Sequence, residues 1–499
     1  MSDTGSGSAV SIPSSNSSAA HSVWLLFLAI VLGGLAGGMA WGIRGQYGHE
    51  MGAMIFGILV GFTLVLLFMP NASALQAARV IGLFTLAIGF GGSMTYGQTV
   101  GLTMDSGVHG NVSDPHWNRD AYLWGMLGLA LKGGLWIGFG GLFLGMGMSG
   151  KRYTPREMLW IGIAMLGLFV VGRWALNTPF EPDLKNLPVF YFSDHWRWEP
   201  AENVKPRAEL WGGLLFAFAG LSAYLFRIKR DRLAVSLGCW GILGGLGFPI
   251  GQAFQAAYAW DAEKFTRSSW WQIGYNTWNM MEVTFGIVAG VVLGVGTWVS
   301  RHRISQDRAA AVVSLSPTTD GWLSASYVYV LCLGWYYGDS VFTLVHAHGL
   351  LLGMIPMIAI AGGRYSPFLY VLPIVALSII VKTFLAVCRD ADFVGTSAGL
   401  IFVVTIPLVL LIHFALRFGN RTLDDMSARN FARFGLLLTS ALYFWLNFAF
   451  LGFQWQWWSD WKGMLAQKTS GGIYIVGWVV LSLAALCSRQ TAAVSQKSA

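Results

Sequence analysis

The chain has 499 residues, of which 55% are hydrophobic and only 11% are charged, and its formal net charge at pH 7 is +8. Soluble domains carry about 25% charged residues, so this composition excludes an ordinary soluble globular protein. Apolar runs near the roughly 20 residues that a bilayer-spanning helix needs recur along the whole chain. Because the strands of a membrane β-barrel would alternate instead, the predicted fold is an all-α polytopic integral membrane protein.

The sequence divides into five parts. Residues 1–21 form a Ser-rich disordered tail, 22–299 hold the first eight spans, 300–320 form a basic linker, 321–488 hold six more spans, and 489–499 form a second tail. The first span follows a polar start without basic residues, so it is predicted to be an uncleaved anchor. Fourteen spans are predicted, or thirteen if the stretch around Gly338-Asp339 is a single span. They lie near 22–43, 50–69, 77–100, 122–148, 157–177, 208–226, 233–254, 272–299, 322–337, 340–361, 367–388, 394–416, 433–453 and 471–488.

Positive charge is concentrated in connections that follow even-numbered spans. The densest runs are "GKRYTPR" (150–156), "RIKRDR" (227–232) and "RHRISQDR" (301–308). Because Lys and Arg accumulate in cytoplasmic loops, this pattern predicts that both termini are cytoplasmic and that the protein lies in the cytoplasmic or inner membrane. Orientation then accounts for the net charge, and no nucleic-acid partner is expected.

Three odd-numbered spans end in similar Gly- and Gln-containing stretches: "GGMAWGIRGQ" (37–46), "GGSMTYGQ" (91–98) and "GGLGFPIGQ" (244–252). Glycine and proline weaken a helix, and broken helices occur in membranes only where protein buries them or where they line a cavity. The third ending is therefore predicted to be an unwound, cavity-lining segment that carries Gln252 and Gln255. In the fourth span, "GGLWIGFGGLFLGMG" (133–147) is predicted to mediate close helix packing.

These endings suggest a parallel tandem repeat in which spans 1–4 and 5–8 are copies, followed by a six-helix C-terminal part. The equivalent residues would be Arg44 and Arg173, Gln98 and Gln252, and Lys132 and Glu282. Chance similarity between Gly-rich spans is the alternative.

Two charged residues, Lys132 and Glu282, are predicted to lie near the bilayer midplane. An ionised group there costs roughly 2.5–3.5 kcal/mol, so it needs a partner or water. One interpretation is a structural ion pair between the two copies. The other is a coupling site in which Glu282 binds a proton or Na⁺ and Lys132 holds an anionic group.

A second polar layer is predicted nearer the outer surface. Asn276, Asn279 and Glu282 are spaced by three residues, so they can line one helix face. The predicted ion-coupling residues are Glu282 and Asp339. The predicted substrate-binding residues are Arg44, Gln46, Tyr96, Gln98, Lys132, Arg173, Gln252, Asn276, Asn279 and Arg389.

Two functions are favoured by this pattern over a third, a structural or assembly subunit, which the dense buried charge makes less attractive. The favoured hypothesis is a secondary transporter of a small anionic or zwitterionic solute, such as an acidic sugar, driven by H⁺ or Na⁺, because transporters place their sites at discontinuous helices between repeats. The alternative is a membrane-embedded transferase or hydrolase that acts on glycans or lipid-linked substrates at the outer face, with His49, Glu50 and His346 as acid or base groups. No metal or other cofactor is expected, since "HAHG" (346–349) points its histidines to different helix faces.

Overall fold

The structure is a computed structural model that describes residues 15–48, 50–94, 96–104, 119–184, 186–192, 206–267, 277–307, 313–336, 353–362, 376, 379–387, 395–419, 427–450 and 469–488. In these ranges helices are the only regular elements, apart from two isolated β-bridges. The helices are α1 (Ser15–Arg44), α2 (Glu50–Phe68), α3 (Ala74–Gly91), α4 (Gly97–Met104), α5 (Arg119–Met148), α6 (Pro155–Asn177), α7 (Trp211–Ala223), α8 (Arg232–Gly245), α9 (Gly247–Trp260), α10 (Ala262–Arg267), α11 (Thr277–Val299), α12 (Pro317–Tyr336), α13 (353–361), α14 (379–387), α15 (Gly395–Gly399), α16 (Ile406–Gly419), α17 (Ala428–Phe450) and α18 (Thr469–Cys487).

Many of these helices are apolar and long enough to cross a bilayer, which agrees with the predicted polytopic membrane protein. Within the described ranges there are nine such segments, and two shorter apolar helices at Gly52–Phe68 and Gly471–Cys487. The nine are Ser22–Arg44, Ala74–Gly91, Arg119–Met148, Pro155–Asn177, Trp211–Ile228, Arg232–Ala259, Thr277–Val299, Thr396–Phe414 and Ala428–Phe450. The count of fourteen spans and the tandem repeat stay predictions.

Two antiparallel helix pairs make close backbone contact through small residues. In the pair α1–α11, a Cβ atom on Gly37 would overlap the Gly286 carbonyl, and one on Gly290 would overlap the Gly33 carbonyl. In the pair α5–α8, a Cβ atom on Gly141 would overlap the backbone of α8. Small residues at four-residue spacing let membrane helices approach this closely, so the predicted packing role of 133–147 is confirmed.

Two of the predicted helix breaks are present, one of them in a different place. The chain leaves α3 at Gly91 and starts the short helix α4 at Gly97, so the second Gly–Gln stretch is a real interruption. The third interruption lies at Leu246, between α8 and α9, and the helix then continues to Trp260. The prediction of an unwound segment from Pro249 onward is therefore wrong. Pro249 lies in the first turn of α9, where a proline removes no helical hydrogen bond.

The connections between helices lie at two opposite ends of the bundle. The turn after α5 bonds to the segment after α11 through Ser305 N and Met148 O, at 2.9 Å. The same turn reaches the connection before α8 through Ser149 Oγ and Asp231 Oδ2, at 2.6 Å. We call this the basic end, defined by the turns 149–154, 229–231 and 300–306. Ser22, near the start of α1, accepts hydrogen bonds from Trp298 and Arg301 at this end. Because α1 then runs for 22 more residues to Arg44, or about 33 Å, Arg44 lies at the other end.

Candidate functional site

Arg44 ends α1 and is almost completely buried, with 3% of its surface exposed. Its Nη1 atom lies 3.0 Å from Glu282 Oε1 on α11. Its Nη2 atom donates a 2.6 Å hydrogen bond to the hydroxyl of Tyr96, in the interruption between α3 and α4. Arg44 therefore joins two long helices to the broken one.

Aromatic rings surround the Arg44 guanidinium. Its central carbon lies 5.8 Å from the ring centroid of Trp41, 5.4 Å from that of Tyr96 and 5.5 Å from that of Trp136. At these distances a cation is attracted to the negative face of an aromatic ring. Phe285 packs against both tryptophans and extends the wall of rings along α11. The charge is thus held in a low-dielectric, water-poor environment that strengthens its electrostatic interactions.

The carboxylate of Glu282 belongs to a polar network formed by three helices. Asn279, one turn earlier on α11, donates from Nδ2 to the Gly42 carbonyl at 3.0 Å and lies 3.5 Å from Glu282 Oε2. The hydroxyl of Tyr474 on α18 donates to Asn279 Oδ1 at 2.8 Å. Gly45 lies directly beside this network, because a Cβ atom on it would overlap Glu282 Oε2 unless that carboxylate shifted.

A second buried ion pair joins Lys132 on α5 to Glu209, just before α7. The Nζ atom lies 2.6 Å from Glu209 Oε1 and donates a 2.7 Å hydrogen bond to Thr99 Oγ1 on α4. Glu209 Oε2 accepts from the Phe192 backbone N–H at 2.9 Å and from the Trp211 indole N–H at 3.2 Å. Each charge is 1% exposed, and each has the hydrogen-bond partners that a buried ion needs.

The short segment 96–104 lies between the two ion pairs and contacts both. Tyr96 bonds to Arg44, Thr99 bonds to Lys132, and Thr103 accepts a 2.8 Å hydrogen bond from Gln252 Nε2 on α9. The side-chain oxygens of Gln252 and Gln255 are buried and have no hydrogen-bond partner within the described part of the chain. The segment thus brings two cations and three hydroxyls into one polar region, which Gln252 extends towards α9.

Other predicted binding residues lie outside this polar core. Gln46 is half-buried in the turn after α1, and Gln98 is half-buried at the start of α4, where its Oε1 accepts from the Arg207 backbone N–H at 3.1 Å. Arg173 is exposed on the surface of α6. The environments of Arg44 and Arg173 therefore differ, although the repeat would make them equivalent.

Several predicted positions lie outside the described residues. These are His49, Asn276, Asp339, His346 and Arg389. For Glu50 the structure gives the backbone, as the first residue of α2, but not the side chain. Their predicted roles in substrate binding, coupling and acid–base chemistry stay predictions.

The structure gives Lys132 and Glu282 different partners, so the interpretation of a direct ion pair between them is wrong. Lys132 pairs with Glu209 and Glu282 pairs with Arg44. Sequence reasoning missed Glu209 and Thr99. The available signal for Glu209 was a carboxylate directly before an apolar span, together with the need of a mid-span lysine for a partner.

The site brings together charged and polar groups of both signs. Within the described ranges, no three His, Cys, Asp or Glu side chains come together as a metal site. One guanidinium, one ammonium group, two carboxylates, four hydroxyls and several side-chain amides supply hydrogen-bond donors and acceptors of both charge signs. Comparison with known proteins finds no matching family model, no matching curated protein and no matching solved structure.

Proposed function

We propose that the protein is a secondary transporter of a small anionic or zwitterionic solute, such as an acidic sugar, which binds in the outer half of the membrane. The observation that carries the proposal is the Arg44–Glu282 pair, buried where α1 ends and held against the interrupted helix α3–α4. Transporters commonly bind substrate and coupling ion at discontinuous helices. Charged residues inside membrane segments most often mark such pathways.

The ion pair provides a mechanism for coupling. A substrate carboxylate competes with Glu282 for the Arg44 guanidinium, because both are planar oxyanions that bind the same fork of N–H donors. A proton or Na⁺ on Glu282 neutralises the competing carboxylate and so releases Arg44 for the substrate. Since Arg44 is 3% exposed and Glu282 8% exposed, an opening movement precedes substrate entry.

The second ion pair and the two glutamines complete the proposed binding site. Lys132 supplies a second positive charge on the other side of the segment 96–104. The vacant oxygens of Gln252 and Gln255 are acceptors for hydroxyl or ammonium groups. This combination suits a solute with a carboxylate and several hydroxyls, or a zwitterion.

The membrane topology belongs to the same proposal. It comprises fourteen spans, of which the first eight form a parallel tandem repeat. Both termini then lie in the cytoplasm, and the protein lies in the inner membrane. The clustering of the turns 149–154, 229–231 and 300–306 at one end supports this orientation through their content of Lys and Arg. The Arg44 end then faces outward.

The test is uptake of radiolabelled glucuronate and of radiolabelled glutamate into proteoliposomes under an imposed H⁺ or Na⁺ gradient. We expect saturable uptake of at least one of the two solutes by the unmodified protein. Arg44→Gln should abolish it, whereas Arg173→Gln, which removes an equal charge from an exposed position, should keep it. Equal uptake by the two variants, or no uptake of either solute, contradicts the proposal. Gradient-independent turnover of a lipid-linked glycan that His49→Ala abolishes would favour the transferase or hydrolase alternative.

A further inference from the structure

A small cavity lies at the basic end, remote from Arg44. It is lined by α3, by the end of α5 and the turn after it, and by the segments around Ser314 and α13, and its volume is about 50 Å³. A single water needs roughly 10–15 Å³ of such space. The cavity therefore has room for three or four water-sized groups, which is the size of one tetrahedral oxyanion.

A buried amide faces this cavity without using its hydrogen-bonding capacity. Gln76, in the first turn of α3, is 3% exposed and lines the cavity. Neither its Nε2 nor its Oε1 has a hydrogen-bond partner within the described residues. Buried polar side chains in folded proteins almost always have partners, so an unsatisfied donor and acceptor on one amide indicate a ligand or ordered water.

Three cations line the cavity beside the amide. Arg79, on the same face of α3, lines it with Lys151 and Arg152, and the lining within the described part of the chain includes no carboxylate. Arg79 and Arg152 are close enough for their charges to repel each other. An anion between them would replace this repulsion with two attractive interactions.

The turn that carries Lys151 and Arg152 is held by specific contacts. Ser149 Oγ donates to Asp231 Oδ2 at 2.6 Å and accepts from the Lys151 backbone N–H at 3.2 Å. Gly150 adopts a left-handed conformation, with φ of 69°, directly against Ser305. These contacts fix the backbone beneath both cations before any ligand arrives.

Asp231 contacts the turn that lines this cavity, through Ser149 and Tyr153. The Tyr153 hydroxyl donates to Asp231 Oδ2 at 2.7 Å, and Asp231 Oδ1 caps α8 through the Ala234 backbone N–H. Burial and the adjacent Asp231 carboxylate raise the pKa of Tyr153, so its phenol keeps its proton at neutral pH. Asp231 therefore orients Tyr153 and caps a helix, and it is not among the described residues that line the cavity.

We infer that this cavity is a binding site for a phosphate-class oxyanion, either free phosphate or the phosphate of an anionic lipid headgroup. Arg79 and Arg152 bind its oxygens, because the guanidinium fork matches phosphate geometry. Gln76 Nε2 donates to a further oxygen, and Gln76 Oε1 accepts from a P–OH group of free phosphate or from a hydroxyl of the lipid headgroup. Basic pockets between membrane helices bind lipid phosphates in this way. The inference does not depend on the proposed transport function.

Calorimetric titration of inorganic phosphate into the full chain in phosphatidylcholine nanodiscs, at constant ionic strength, tests this site. We expect saturable binding that Arg152→Gln weakens about tenfold or more, as loss of a hydrogen bond to a charged group predicts. Gln76→Leu should also weaken it. Arg303→Gln removes one exposed charge at the same end, outside the cavity lining, and should leave the affinity within about twofold.

The second arm repeats the titration in nanodiscs that contain phosphatidylglycerol. If the lipid headgroup is the natural ligand, it occupies the cavity and phosphate binding is lost. If free phosphate is the ligand, the affinity is the same in both lipids. Absence of saturable binding in phosphatidylcholine, or binding that Arg152→Gln and Gln76→Leu leave unchanged in a folded protein, overturns the inference.

Discussion

Removing one charge of the Arg44–Glu282 pair at a time should have unequal effects on stability. Glu282→Gln leaves Arg44 with the Tyr96 hydroxyl and the faces of Trp41, Tyr96 and Trp136. Arg44→Gln leaves the Glu282 carboxylate buried with Asn279 as its neighbour, at 3.5 Å. Because a guanidinium is stabilised by aromatic faces and a carboxylate is not, the loss of Arg44 should cost more.

The observed distance between Arg44 and Glu282 sets the size of the expected losses in stability. At the observed separation of 3.0 Å, two unit charges attract with about 5–6 kcal/mol at an effective dielectric constant of 20. Breaking a buried pair costs about 3–5 kcal/mol when the remaining ion is uncompensated, which is the value expected for Arg44→Gln. Cation–π interactions worth about 0.5–2 kcal/mol each should reduce the cost of Glu282→Gln to about 1–2 kcal/mol.

A double-mutant cycle measures the interaction itself. The free energy of unfolding is determined by denaturant titration in detergent for the unmodified protein, Arg44→Gln, Glu282→Gln and the double variant. We expect a coupling energy of about 2–3 kcal/mol, at the upper end of values for contacting residues. Additive single effects, or a larger loss for Glu282→Gln than for Arg44→Gln, would refute the reasoning.

Two further predictions concern the second ion pair and a close backbone contact. Lys132→Met should lower the free energy of unfolding by about 3–5 kcal/mol, because it leaves the buried Glu209 carboxylate unpaired. Adding Glu209→Gln should recover about half of that loss. A double variant no more stable than Lys132→Met would contradict this prediction. Gly45→Ala places a methyl group on Glu282 Oε2, whereas Gly97→Ala meets no atom within 4 Å. Thermal unfolding should therefore show a clear loss for Gly45→Ala and little change for Gly97→Ala, and equal melting temperatures would show that Glu282 can move freely.

Local sequence patterns predict the helices and part of the site. Apolar run length locates the membrane helices because a bilayer-crossing segment must satisfy its own backbone. The Gly–Gln stretches mark real interruptions because glycine lowers helix stability wherever it occurs. Arg44, Tyr96, Asn279 and Glu282 were identified as polar residues in apolar surroundings, and they do converge.

The pairing of charges was not predictable in the same way. Glu209 lies 77 residues from Lys132, and Arg44 lies 238 residues from Glu282. Such partners are set by how distant helices pack, which no local pattern encodes. The interruption at Leu246 was misplaced for a related reason: Pro249 marks a weak point, but α9 accommodates it in its first turn. Arg173, like Arg44, lies near the end of an apolar span in the sequence, yet Arg173 is exposed and Arg44 is buried. Burial depends on which helices pack nearby, and the local sequence does not specify that.

The most direct test of the proposed coupling compares two modes of glucuronate movement by Glu282→Gln in proteoliposomes. If Glu282 carries the coupling ion beside Arg44, the variant should lose accumulation driven by an H⁺ or Na⁺ gradient but keep exchange of labelled for unlabelled solute at equal concentrations. Arg44→Gln should lose both modes. Gradient-driven accumulation by Glu282→Gln at the rate of the unmodified protein would contradict the central role assigned to this ion pair.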